Sequence, residues 1–98
     1  MLAHKIYREL KHCSSEAEMI RAAVSVLTEN LHLDKVVFHR GAPPESAESQ
    51  VVTVESDQGR PKTTWQVFPK DRYLSPEEKA ELRTVGFFLL LALDYLKS

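Results

Sequence analysis

The last quarter of the chain limits the fold more than any other stretch. Ser75-Pro76-Glu77-Glu78 puts a hydroxyl at the N-cap, proline at the first helical position and carboxylates in the first turn. The spacing that follows predicts one helix over 76–97. Leu82, Val85, Leu89, Ala92, Leu93 and Leu96 form its primary stripe, but Phe87, Phe88, Leu90, Leu91 and Tyr95 coat other sides. A helix that is apolar nearly all round must be covered on more than one side. A chain of 98 residues holds one core and not two, so the expectation is a single domain. A sheet can shield one side of the closing helix, leaving the rest to the N-terminal helices or to a second copy of the chain.

The preceding residues supply those elements. Leu2, Ile6, Leu10 and Cys13 share one helical stripe, predicting a helix over 2–12. Ser15 and Glu18 form a capping box that starts a second helix over 15–31, with Ile20, Ala23, Val24, Leu27 and Leu31 toward the core. Strands are expected at 35–40, 50–56 and 62–68, the last two joined by a hairpin at Asp57-Gln58-Gly59-Arg60-Pro61. Residues 41–49, GAPPESAES, carry two prolines and little to bury, and read as an exposed, mobile loop that folding does not need. The fold class is therefore α+β: a small, mainly antiparallel sheet of about three strands with all helices on one face.

Period-two alternation divides the sheet. Val36, Phe38, Val52, Val54, Trp65 and Val67 should face the helices. The opposite set includes Val37, His39, Val51, Thr53, Glu55, Thr64, Gln66 and Phe68, too apolar for a plain solvent face and too polar for a second core. Val37, His39, Thr53, Thr64, Gln66 and Phe68 are the candidate ligand or partner face. Phe87, Phe88, Leu90, Leu91 and Tyr95, with Ile6 and Leu10 on the first helix, are the candidate homodimer interface.

Several chemistries find no support. A net charge of −1, with no basic cluster interleaved with aromatics, argues against nucleic-acid binding. One cysteine cannot form an intrachain disulfide, and His4, His12, His32 and His39 make no tight ligand pattern, so no metal or cofactor is expected. Cys13 sits at a helix C-terminus, whose dipole opposes a thiolate, and reads as structural. His4 in LAHKIYREL lacks the acidic neighbour of a phosphoacceptor helix. No general acid and base pair emerges, and the expectation is a protein without catalysis. The apolar run from Val85 to Leu93 is too short to span a bilayer, and no signal peptide opens the chain, which points to the cytoplasm and away from the membrane.

The element order, two helices, a strand, a strand pair and a long closing helix, resembles that of a GAF domain, the sensory fold of bacterial signalling proteins. SEAEMIRAAVSVLTENLHLDKVVFHR and WQVFPKDRYLSPEEKAELRTVGFFLLLALDYL carry the likeness over about three fifths of the chain. Typical members are longer, and residues 41–61 stand here where they place ligand-covering strands and helices. The Asn-Lys-Phe-Asp signature of cyclic-nucleotide binders is absent, and Cys13 lies outside the bilin attachment positions. The resemblance thus implies a shortened regulatory module of a signal-transduction or transcription-control protein, acting by helix-mediated dimerisation and conformational relay. The alternative is a stand-alone adaptor that binds a protein through the mixed sheet face or the 41–49 loop.

Overall fold

The computed structural model of the chain describes residues 2–97. Its elements are α1 (Leu2–Lys11), α2 (Glu16–Leu31), β1 (Leu33–Arg40), β2 (Gln50–Asp57), β3 (Arg60–Pro69) and α3 (Pro76–Lys97). The architecture is α+β, with one antiparallel three-stranded sheet in the order β1-β3-β2. No helix among the described residues is long and apolar enough to cross a membrane.

The helix boundaries follow local chemistry. Ser15 Oγ accepts from the Glu18 N–H, while the Glu18 carboxylate reaches one residue further back than a capping box requires, to the Ser14 N–H at 3.1 Å. His32 closes α2 in the left-handed region, its N–H donating to the Thr28 carbonyl. At α3 the box is complete: Ser75 Oγ accepts from Glu78 N–H, and Glu78 Oε1 accepts from Ser75 N–H. Arg72 adds a bond to Glu78 at 2.7 Å and another to the Leu31 carbonyl, so one guanidinium ties the end of α2 to the start of α3. Gln50 holds the same corner, donating to the Arg72 carbonyl and accepting from Leu74 N–H.

The helix-facing side of the sheet is the one alternation predicts. Val36, Val52, Trp65 and Val67 are buried, and Phe38 and Val54 pack half-buried against the same core. α2 lies on β1 and α3 on β2, while α1 packs on α2 and α3. Trp65 is fully buried, donates its indole N–H to the Leu82 carbonyl at 2.9 Å and meets Phe38 edge-on with ring centroids 5.1 Å apart. α3 approaches this closely because Gly86 has no side chain: a Cβ there would lie 2.6 Å from Val54 Cγ2 and 2.8 Å from Trp65 Nε1.

The buried arc of α2 differs from the expected one. Met19, Ala23, Val26 and Leu27 are buried, whereas Ile20, Val24 and Leu31 are half-buried. Because α2 packs against α1 and α3 as well as β1, its arc is rotated toward those helices.

The course of residues 41–49 follows from the strand order. β1 and β2 both run antiparallel to β3, so they are parallel to one another and their connection must travel back across the central strand. From the level of Thr63, opposite Arg40, to that of Val67, opposite Gln50, is four residues along and two strand spacings across, roughly 16 Å. Nine extended residues reach about 30 Å, so no helix is needed, and prolines favour the extended form. Residues 44–48 are solvent-exposed, yet the segment is a strap and not a free connection. Gly41 accepts at its carbonyl from Thr64 Oγ1 at 2.9 Å, and Gln66 Nε2 donates to the Pro44 carbonyl and to Ser49 Oγ. β3 is consequently buried on both faces over residues 63–67.

Candidate functional site

Two faces carry the residues singled out by sequence. On the outer side of the sheet, antiparallel register aligns Val37, Gln66 and Val51 in one row and His39, Thr64 and Thr53 in the next. Thr64 is 0 % exposed and Gln66 5 %, so the centre of this face is closed. His39 Nε2 lies 2.9 Å from Gln66 Oε1. Since both amide hydrogens of Gln66 go to the strap, its oxygen accepts, and His39 must carry its proton on Nε2. Val37 is half-buried, Thr53 exposed, and Phe68 half-buried under the Lys35 ammonium at 5.5 Å. The register break between Thr53 and Glu55 puts Glu55 opposite Thr63, whose hydroxyl donates to it at 3.4 Å, so Glu55 leaves the expected row. The candidate ligand face is corrected accordingly: Thr64 and Gln66 hold the chain's own strap, and what remains open is the margin formed by Val37, Val51, Thr53 and Phe68.

The second face lies on the helices. Phe87, Leu91 and Tyr95, spaced by four residues, are 59 %, 51 % and 84 % exposed. They run along one side of α3, away from Val85, Gly86, Leu89 and Leu93 in the core. Phe88 and Leu90 flank this stripe half-buried. Ile6 and Leu10 do not belong to it: at 0 % and 6 % exposed they are core residues, because α1 folds back onto α2 and α3 within the chain. That contact shields one flank of α3 and leaves the opposite side bare.

Where α3 meets α1 and the start of α2 lies an apolar groove of about 600 Å³, lined by Tyr7, Cys13 and Met19 together with Phe88, Leu91 and Tyr95 of α3. Sequence reading missed Tyr7, 62 % exposed, whose signal was an aromatic lying outside the Leu2-Ile6-Leu10 stripe. Burial raises the Cys13 thiol above its ordinary pKa, and Glu18 and Glu9 raise it further. Its Sγ donates to the Glu9 carbonyl at 3.3 Å, a bond that only the protonated thiol can make.

A second hollow, about 770 Å³, opens at the end of the sheet between Glu48, Phe68, Lys70 and Tyr73. Its cations are engaged by the chain itself: Lys70 lies 3.5 Å from Asp34 and Arg72 bonds Glu78. Comparison with protein families, with curated proteins and with solved structures finds no match, so the GAF resemblance rests on the two sequence segments that carry it.

Proposed function

We propose that this chain is a regulatory module of the GAF-like kind, from a bacterial signal-transduction or transcription-control protein, and that it works through helix-mediated self-association. The observation that carries this reading is the bare Phe87-Leu91-Tyr95 stripe on α3, continued across the groove by Tyr7 on α1. Contiguous large apolar side chains in water are rare on soluble monomers. A two-fold pairing of α3 with its copy would cover them and set the two outgoing helices side by side, so that a shift in one alters the other. The strap closes the centre of the sheet face, one of the two surfaces open to the adaptor alternative, and leaves its own residues 44–48, the other, exposed.

Spin labels on Arg83→Cys in a Cys13→Ser background test it; Arg83 is exposed beside the stripe. The expected result is a narrow inter-copy distance component that vanishes when Phe87→Ser and Leu91→Ser are added. A spectrum without that component, or one unchanged by the two serines, contradicts the reading.

A further inference from the structure

Phe87 and the apolar groove lie on different flanks of α3. Helix residues follow one another by about 100°, so Arg83, Phe87, Leu91 and Tyr95 succeed each other round the outer face in steps of about 40°, with Phe88 about 20° beyond Tyr95. Phe88, Leu91, Ala92, Tyr95 and Leu96 line the groove, and Phe87 does not. It stands 59 % exposed on the flank turned away from α1. Each copy thus carries an aromatic knob on one flank and an aromatic-walled hollow of about 600 Å³ on the other.

The direction of pairing decides where the knob goes. In a parallel two-fold pair the axis runs along the helices and each flank meets the opposite flank of the copy, so Phe87 of each chain comes to lie over the groove of the other. In an antiparallel pair the axis crosses the helices and each flank meets its own equivalent. Groove then faces groove, and Phe87 presses on the flank that carries Leu90. A hollow left inside an interface deprives its lining of partner atoms, and the antiparallel pair leaves two.

Charge agrees with the parallel direction. Arg83 is exposed on the Phe87 flank and makes no ion pair among the described residues. Parallel pairing carries it over the flank of Glu81 and Phe88, a carboxylate and an aromatic face that both attract a guanidinium. Antiparallel pairing brings it toward Asp94, which the chain already engages.

We propose, resting on the self-association argued above, that α3 pairs parallel with its copy and that Phe87 of each chain fills the groove of the other. The groove is then a socket completed by the second copy, with Tyr7 and Met19 of one chain against Phe87 of the next. The contact forms twice, once on either side of the axis, as two-fold symmetry requires.

Photo-crosslinking reads the socket. With Phe87 replaced by p-benzoylphenylalanine, which keeps the aromatic bulk, and with isotopically light and heavy chains mixed to mark products between copies, crosslinks are expected on the groove residues Tyr7, Met19 and Phe88. Spin labels on Glu77→Cys in a Cys13→Ser background, in the exposed first turn of α3, read the direction. Parallel helices with axes about 8–10 Å apart hold the two labels within about 25 Å, the expected result. Antiparallel helices centred on Leu91 put about 28 residues of rise, roughly 40 Å, between them. Crosslinks between copies confined to Leu90 and Asp94, or a label separation near 40 Å, would overturn the docking and leave self-association standing. An absence of both crosslinks and distances between copies would overturn the two together.

Discussion

At Gly86 two residue-level effects oppose one another. Alanine there would gain about 1 kcal/mol of helix propensity, but its Cβ would fall 2.6 Å from Val54 and 2.8 Å from the Trp65 indole nitrogen. Trp65 is fully buried and bonded to Leu82, so it cannot give way without losing that bond. Overpacking of this kind costs about 1–3 kcal/mol or more, and Gly86→Ala is expected to lower unfolding stability in chemical denaturation despite its better propensity. A rise in stability would mean that α3 stands further from the sheet. Gln66 tests the opposite face. Its amide serves His39, Pro44 and Ser49 at once, so Gln66→Leu should cost roughly 1–3 kcal/mol by stripping bonds from a buried polar cluster. A loss near zero would mean that the strap is not held by this residue.

Among the elements, the start of α3 has the sharpest electrostatics. The Arg72 hydrogen bond holds the Glu78 carboxyl below the usual carboxylate range, the Ser75 N–H adds to it, and partial desolvation opposes both. A carboxyl lowered on folding contributes stability above its unfolded pKa and loses it as pH falls through the folded value. Glu78→Gln should therefore be less stable than the parent at pH 7, by about 1 kcal/mol as for a lost helix cap. The gap should close below about pH 4. A gap that persists at low pH would assign the effect to shape and not to charge. This corner was legible in sequence because Ser75, Pro76 and Glu78 act within one turn. So were the strands and their inward face, which depend on period two alone. The strap was not legible, because it depends on β3 inserting between β1 and β2, and no local residue encodes strand order. Once that order is given, Thr64 and Gln66 become understandable as polar residues on a strand buried from both sides. The same limit explains Ile6 and Leu10: an apolar stripe announces that it will be covered but not whether by its own chain or by another. The rotated face of α2 has the same origin, since its packing against α1 and α3 is settled by tertiary structure and not by the spacing within α2.

For the whole molecule, the fold closes nearly every apolar surface against itself, with helices on one side of the sheet and the strap on the other. Val51 and Tyr73 stay exposed as single residues, while the outer side of α3 with Tyr7 beside it carries the contiguous apolar stripe on which the proposed function stands. Sedimentation velocity from about 1 to 100 µM, a range in which regulatory dimers assemble, tests it most directly. The expected result is a sedimentation coefficient that rises with concentration, with Phe87→Ser plus Leu91→Ser shifting the rise to concentrations at least about tenfold higher as burial of two large side chains is lost. A monomer at every concentration, or an association that the two serines leave unchanged, would contradict it.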